Sequence, residues 1–280
     1  MLNFRKPIIE GMSPIKLIYF LTAGDALIMT INHLNEGVLS PRPFDSLPIT
    51  LGFFNFLNVP LLAALLLILN FILPPICFVY SHKQFWRVLN FMLFFLSKGL
   101  IFSLNRFSHV YWPLLWTLML FAIPKKLDEK SIEQDPIAKN CYRMSIVAAC
   151  SFYFFPGLWK VFEGLQSGDL LRLDYAANTV AFYLLNHGKQ SLLGDFAIQQ
   201  AAVSYAGFMA IIILQISSVC CIFSKSFLRI WPILILCFHA MSFLVLQVNF
   251  FLAGIVCSIL MMACSSEIVI DLKNIARDRR

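Results

Sequence analysis

The chain has 280 residues, of which 59% are hydrophobic and only 13% are charged, and its formal net charge is +7. A soluble domain carries about 25% charged residues, so the composition excludes a soluble globular domain and predicts an all-α bundle of membrane-spanning helices. In such a protein, Lys and Arg report the orientation of the spans. They form no basic block with interleaved polar residues, so we expect no nucleic-acid partner.

The apolar runs, taken in chain order, predict about eight spans of roughly 20 residues each. No small-residue cleavage site follows the first run, so we expect that run to stay as the first span. Gln247 and Asn249 interrupt the last apolar run, which predicts a helical hairpin there. The predicted spans lie near 14–32, 57–80, 88–104, 109–123, 144–162, 198–223, 230–246 and 248–266.

The basic residues predict how these spans are oriented. If the spans alternate in direction, most Lys and Arg residues lie on one side of the membrane, which the positive-inside rule makes cytoplasmic. Both termini are then cytoplasmic, and residues 1–280 form a single transmembrane domain. The basic segments are the N-terminus, 81–87, 124–143, 224–229 and the tail 267–280.

The longest outer loop is predicted at 163–197. Within it, residues 170–185 are a candidate for an amphipathic helix at the membrane interface. Because loops carried by a rigid scaffold often bind substrates, we expect this loop to act as a lid or as a contact for a peptide.

Cysteine and metal chemistry are not predicted. The eight cysteines include no C-x-x-C spacing, and residues such as Cys150 and Cys257 lie inside apolar runs. Buried cysteines of this kind usually pack as small apolar side chains. No HExxH or similar motif is present, so we expect no metal site.

Five ionisable residues lie within or at the ends of predicted spans, all toward the outer side: Asp25, Lys98, His109, Lys160 and His239. Each has a structural alternative. Either lysine can extend to the outer headgroups, Asp25 can neutralise Lys98, His109 can be a wetted interfacial histidine, and His239 can be a buried contact between helices. Because all five share one leaflet, we interpret them as a candidate site.

Lys160 is the leading candidate in this set. It lies in SFYFFPGLWKVFEGLQSG, residues 151–168, where a predicted span rich in aromatic residues ends in a segment that contains glycine. A charged ammonium near hydrocarbon is costly, and an apolar environment favours the uncharged amine. An uncharged amine can accept a proton, so the position predicts a general base.

Three segments resemble one family. FYFFPGLWKVFEGLQSGD, NRFSHVYWPLLWTLMLF and ILCFHAMSFLVLQVNFFLAGIV are similar to parts of the membrane domain of the vitamin K-dependent gamma-carboxylase. That domain belongs to the horizontally transferred transmembrane (HTTM) superfamily. The resemblance implies that Lys160 is the base that deprotonates a reduced quinone, and that His109 and His239 are active-site residues. The family carboxylase has two successive lysines where this chain has Trp159 and Lys160.

The resemblance implies a carboxylase- or epoxidase-like membrane enzyme. Its cofactor would be a reduced, vitamin K-like quinone, and its partners the lipid bilayer and a secreted or membrane peptide. Short bacterial members of the family suggest a multi-pass protein of the bacterial cytoplasmic membrane. The residues expected to contact substrate are Asp25, Lys98, Trp159, Gln247 and Asn249.

Two alternatives stay open. A non-enzymatic accessory, maturation or immunity factor for a secreted peptide would use the same polar residues for packing and ion pairing. A small transporter would be built from inverted repeats or paired broken helices, and the sequence contains no clear example of either.

Overall fold

The computed structural model describes residues 13–35, 60–103, 111–248 and 251–262. All regular secondary structure in these ranges is helical, which confirms the predicted all-α class. The chain divides into two compact units, Met1–Ser145 and Ile146–Arg280. The prediction of a single transmembrane domain stays a prediction.

The first unit contains five helices within the described residues and the beginning of a sixth. These are α1 (Pro14–Asn35), α2 (Pro60–Val79), α3 (Gln84–Ser103), α4 (Trp112–Ala122), α5 (Glu129–Gln134) and the start of α6 (Pro136–Ser167). Helix α1 packs on α2, α2 on α3, and α3 on α4.

The second unit begins within α6. After α6 come a 3₁₀ turn (Asp169–Leu171), α7 (Tyr175–Asn186), α8 (Leu192–Gln199) and α9 (Ala201–Ile216). A second 3₁₀ turn (Ser217–Val219) leads into α10 (Cys220–Phe223), followed by α11 (Lys225–Leu246) and α12 (Phe251–Met262). Helix α11 packs on α12, and α7 packs on α8 and α9.

Three described helices are long and apolar enough to cross a membrane: Pro136–Ser167, Ala201–Phe223 and Lys225–Leu246. Shorter apolar helices lie at Ile68–Val79, Trp112–Ala122 and Phe251–Met262. The chain is therefore a membrane protein by the length and composition of its helices. The count of eight spans and the placement of the termini stay predictions.

Helix α6 is longer than the sequence suggested. The predicted span began at residue 144, whereas the helix begins at Pro136 inside the predicted loop 124–143. Proline suits the first turn of a helix, and the Asp135 carboxylate accepts a hydrogen bond from the Ile137 backbone at 2.9 Å. Local capping therefore extends the helix beyond its apolar part.

The predicted outer loop 163–197 is mostly helical. It contains the end of α6, the first 3₁₀ turn, α7 and most of α8. A helix was expected within 170–185, and α7 confirms it, although α7 begins only at Tyr175. Ser191 caps α8 by accepting a hydrogen bond from the Gly194 backbone at 3.1 Å.

Helices α3 and α4 are joined at one end of the first unit. The side chain of Gln84 donates to the carbonyls of Ala122 and Ile123. The fully buried guanidinium of Arg87 donates to the carbonyls of Ser81, Phe121 and Pro124. These bonds satisfy carbonyls that the end of a helix leaves unpaired. The turns on either side, which carry Lys83, Lys125 and Lys126, therefore lie at the same end of this unit.

In the second unit, one face of α6 is buried along its length. Its buried residues recur every three or four positions, the spacing of a single helical stripe: Ile146, Ala149, Cys150, Tyr153, Gly157 and Gly164. The Ser218 hydroxyl donates to the Cys150 carbonyl at 2.9 Å and joins the end of α9 to this stripe. The candidate site lies on the same face of α6.

Candidate functional site

The centre of the candidate site is the amine of Lys160. Its Nζ atom donates a hydrogen bond to Oε1 of Gln215 on α9, with 2.9 Å between the two atoms. Within the part of the chain that the structure describes, no acidic side chain forms an ion pair with Lys160. The amine is therefore held by a neutral amide.

Gly157 fixes the position of Gln215. A Cβ atom built on Gly157 would lie 2.8 Å from Cβ of Gln215 and 3.2 Å from the Ile216 backbone nitrogen. Only a residue without a side chain allows α6 and α9 to approach this closely. The amide that receives the Lys160 hydrogen bond is thus part of a tight contact between the two helices.

The same contact shows which way the Lys160 side chain runs. Gly157 lies about one turn before Lys160 on α6, and side chains on a helix lean toward its N-terminus. Because the partner of the amine, Gln215, packs against Gly157, the amine reaches back along α6 and away from the helix end at Ser167. This geometry argues against a side chain that simply extends to the nearer membrane surface.

His239 lies in a second polar contact of the same unit. Its Nε2 atom is 2.7 Å from the Tyr153 hydroxyl, and both side chains are buried. On the α12 side, a Cβ atom on Gly254 would lie 2.5 Å from Cδ2 of His239. The imidazole is therefore fixed between α6 and α12.

Trp231 connects the two contacts. Its ring packs edge-on against Tyr153, with 5.1 Å between ring centroids. Its indole nitrogen donates to the carbonyl of Leu214 at 2.9 Å, and Leu214 immediately precedes Gln215. Lys160 thus contacts Gln215, the backbone joins Gln215 to the Leu214 carbonyl that Trp231 bonds, and Trp231 packs on Tyr153, which bonds His239. We call Lys160, Gln215, Trp231, Tyr153 and His239 the polar seam.

Two predicted site residues, Lys160 and His239, make their contacts on one face of α6. Tyr153, Gly157 and Lys160 are spaced as i, i+4 and i+7, so they share a face. Tyr153 and Lys160 are separated by about 10 Å along the helix axis, at roughly 1.5 Å per residue. The contacts of Lys160 and His239 therefore lie one after the other along the same face of α6. Lys160 bonds Gln215, and His239 bonds Tyr153. The third predicted residue, His109, lies outside the described residues.

Asp25 and Lys98 form a separate pair in the first unit. The Lys98 Nζ atom lies 2.6 Å from Oδ2 of Asp25, and the two side chains are 1% and 7% exposed. The ammonium also lies 3.1 Å from the centroid of the Tyr111 ring and 4.9 Å from that of Phe94. The ion pair between Asp25 and Lys98 is therefore present, and the expected contact of these two residues with substrate stays a prediction.

Trp159 and Gln247 take no part in the contacts that form the polar seam. The Trp159 side chain is 67% exposed. Gln247 ends α11 in a left-handed conformation with a φ of 53° and donates to the carbonyl of Gln190. Asn249 lies outside the described residues.

Sequence reasoning missed Tyr153, Gln215 and Trp231. Two signals were available. Tyr153 is seven residues before Lys160 on the same apolar helix, and Gln215 is a lone amide in the run AIIILQI. A polar side chain within a span is usually buried against a partner. The partner itself cannot be read from the local pattern.

A metal centre is not supported in the part of the chain that the structure describes. No group of three or more His, Cys, Asp or Glu residues there is arranged to hold an ion. Cys150 and Cys221 contact each other, and both are buried together with Cys257. This matches the expectation that these cysteines are packing residues.

Comparisons with known proteins do not identify the chain. No family model matches it, and neither a curated protein nor a solved structure does. A function for Lys160 must therefore be inferred from the geometry of the polar seam and from the resemblance of the three segments.

Proposed function

We propose that this chain is a multi-pass membrane enzyme in which Lys160 acts as a general base on a quinol or on a peptide group at the outer leaflet. The observation that carries this proposal is the hydrogen bond between the Lys160 amine and Gln215 inside an apolar helical unit. An amide oxygen accepts from either protonation state of the amine and supplies no compensating charge. The uncharged, proton-accepting form is therefore favoured by the apolar surroundings.

The proposed topology has eight spans and both termini in the cytoplasm of a bacterium. In the first unit, the hydrogen bonds of Gln84 and Arg87 support it, because they hold two lysine-carrying turns at one end. In the second unit, the turn 188–191 is bonded to the C-terminal end of α11, whereas Lys225 begins that helix at its other end. The basic turn at Lys225 is thus separated from the turn 188–191 by the length of α11.

A reduced quinone is the substrate that we propose for the polar seam. Lys160 and Gln215 supply an amine and an amide, and Trp231 and Tyr153 supply aromatic rings, groups that would suit a planar aromatic diol with an apolar tail. Such a quinol supplies a weakly acidic hydroxyl. The role of Lys160 is to accept that proton, and the role of Gln215 is to keep the amine in place. His239 and Tyr153 would orient the substrate or stabilise the anion that forms.

The test uses purified protein in lipid nanodiscs with a naphthohydroquinone that carries an isoprenoid tail. Oxygen-dependent oxidation of this probe is followed by absorbance. We expect Lys160→Ala to reduce the rate by about 10²- to 10⁴-fold, the usual contribution of a general base. The matched control is Lys225→Ala, which removes an exposed lysine of the same unit and should leave the rate unchanged.

A second candidate function is a non-enzymatic accessory or immunity factor for a secreted peptide. The Tyr153–His239 bond favours it to some extent, because a closed internal hydrogen bond also suits a purely structural interior. If Lys160→Ala inserts, folds and oxidises the probe as fast as wild type, the catalytic proposal is wrong and this second function is preferred. Mass spectrometry of lipid extracts gives an independent check, since a copurifying quinone is expected only for the enzyme.

A further inference from the structure

The helical hairpin α7–α8 exposes several large apolar side chains. At the C-terminal end of α7 and the N-terminal end of α8, four large apolar side chains are exposed: Phe182, Leu185, Leu192 and Phe196. Leu185 is 80% exposed and Leu192 is 86% exposed. We call these four residues the hairpin tip. Burying such a side chain is more favourable than leaving it in water, so we expect the tip to lie in an apolar environment.

The turn between the two helices is fixed to the end of α11. The Lys189 amine donates to the Gln247 carbonyl at 2.8 Å, and the Ser191 hydroxyl donates to the Leu244 carbonyl at 2.5 Å. The Gln247 side chain donates in turn to Gln190. These bonds place the hairpin tip at the level where a helix long enough to cross the membrane ends.

Tight packing reinforces this attachment. A Cβ atom on Gly194 would lie 2.5 Å from Cδ1 of Leu184 and 2.8 Å from the Val245 carbonyl oxygen. Helix α8 therefore lies directly against both α7 and the last turn of α11. The hairpin is thus attached to α11 both by hydrogen bonds and by close packing. The role of this loop as a lid or as a contact for a peptide stays a prediction.

The start of α7 carries a charged cluster. Arg172 donates to Asp169 at 3.1 Å and to Asp174 at 3.0 Å, and Asn178 also donates to Asp174. The hydrogen bond from Arg172 lowers the pKa of the Asp174 carboxyl. This charged cluster lies beside the exposed side chain of Leu171, whereas the hairpin tip carries no ion pair among the described residues.

The lipid-exposed surface of α6 continues toward the hairpin. Phe155, Phe162 and Leu165 are exposed on this membrane-capable helix, and α6 connects to α7 through Gly168 and a single 3₁₀ turn. At the turn of the hairpin, the rings of Tyr183 and His187 stack with 4.1 Å between centroids. Rings that combine an apolar body with a polar edge are typical of the membrane–water boundary.

We propose that the α7–α8 hairpin lies in the boundary region of the bilayer, with the hairpin tip inserted among the lipid acyl chains. Amphipathic helices bind this region by burying their apolar side by about 5–10 Å. In this position the side chains of the hairpin tip contact acyl chains and not water, and the charged cluster around Arg172 stays hydrated. The proposal depends only on the membrane-crossing helices and holds whether or not Lys160 is catalytic.

The test places a genetically encoded diazirine amino acid at Leu185 or, in a second protein, at Leu192. The full chain is reconstituted in nanodiscs of phosphatidylethanolamine and phosphatidylglycerol, irradiated, and digested for mass spectrometry. We expect phospholipid adducts on both tip peptides. A third protein carries the probe at Asp174, in the charged cluster of the same hairpin, and should give at least several-fold fewer lipid adducts.

Three results would overturn the proposal. They are adducts with water alone, adducts with a second copy of the chain, and equal lipid labelling at the tip and at Asp174. Each labelled protein is first compared with wild type by size-exclusion profile and thermal midpoint. Because Leu185 and Leu192 lie on different helices and are both strongly exposed, at least one position is expected to accept the probe without disturbing the fold.

Discussion

Two lysines in apolar helices of this protein have opposite environments. Lys98, in the first unit, has a carboxylate partner at 2.6 Å and two aromatic rings around its ammonium. Lys160, in the second unit, has a neutral amide at 2.9 Å. In the first environment an opposite charge offsets part of the cost of burying the amine, whereas the second environment offers no opposite charge. The role of a lysine within a predicted span therefore can be assigned only once its partner is known.

The largest expected effect concerns the stability of the Lys98 pair. Lys98→Met leaves the Asp25 carboxylate buried without its cation, and breaking a buried ion pair costs about 3–5 kcal/mol. The free energy of unfolding, measured by steric trapping in bicelles, should fall by that amount. The double variant Asp25→Asn/Lys98→Met should recover most of it, because an uncharged pair needs no compensation.

The same substitution at the other lysine provides the matched control. Lys160→Met leaves the buried amide oxygen of Gln215 without its donor, so we expect a smaller loss of about 1–3 kcal/mol. Equal losses for the two Lys→Met variants would show that the two lysines are held alike, and the contrast between the units would be wrong.

A further test gives Lys160 a carboxylate partner of the kind that Lys98 has. Gln215→Glu keeps the size of the side chain, which the close contact with Gly157 requires, and adds a carboxylate beside the Lys160 amine. A nearby opposite charge shifts a protonation equilibrium by about 10- to 1,000-fold. The rate of naphthohydroquinone oxidation should fall by a similar factor while the protein stays folded. An unchanged rate would mean that the uncharged amine is not required.

The position of His239 can be tested through Gly254. Gly254→Ala places a Cβ atom 2.5 Å from the imidazole, and overpacking of this kind costs about 1–3 kcal/mol. The control is Gly207→Ala on α9, where a Cβ atom would meet nothing within 4 Å. Since alanine is favoured over glycine inside a helix by about 0.5–1 kcal/mol, the control should be neutral or slightly stabilising. Similar unfolding free energies for the two variants would contradict the tight contact at His239.

The smallest effect is expected for the exposed ion pair at the start of α7. The pKa of Asp174 is lowered by the hydrogen bond from Arg172, so its contribution to stability is present above the ordinary carboxyl pKa and is lost as the pH falls through the lowered value. Asp174→Asn should therefore lower the thermal midpoint slightly at pH 7 and not at all in strong acid. A loss as large as that of Lys98→Met would show that burial does not distinguish the two pairs.

Much of the fold follows from local features of the sequence. Each predicted span overlaps a described helix, from α1 over 14–32 to α12 within 248–266, because apolar composition and helix ends are local properties. The start of α6 at Pro136 and helix α8 were missed, whereas a helix at the position of α7 was expected. Their capping residues and polar positions lie outside the apolar runs on which the span prediction was based.

The sequence by itself determined that the protein is helical, that it belongs in a membrane and that two lysines lie in apolar segments. The tertiary structure decided which side chains bind the amines of those lysines. Asp25 is 73 residues from Lys98, and Gln215 is 55 residues from Lys160. Whether a distant carboxylate or a distant amide reaches an amine depends on how the helices pack, including the close approach at Gly157. Residues so far apart in the chain are brought together by packing, which no local pattern encodes.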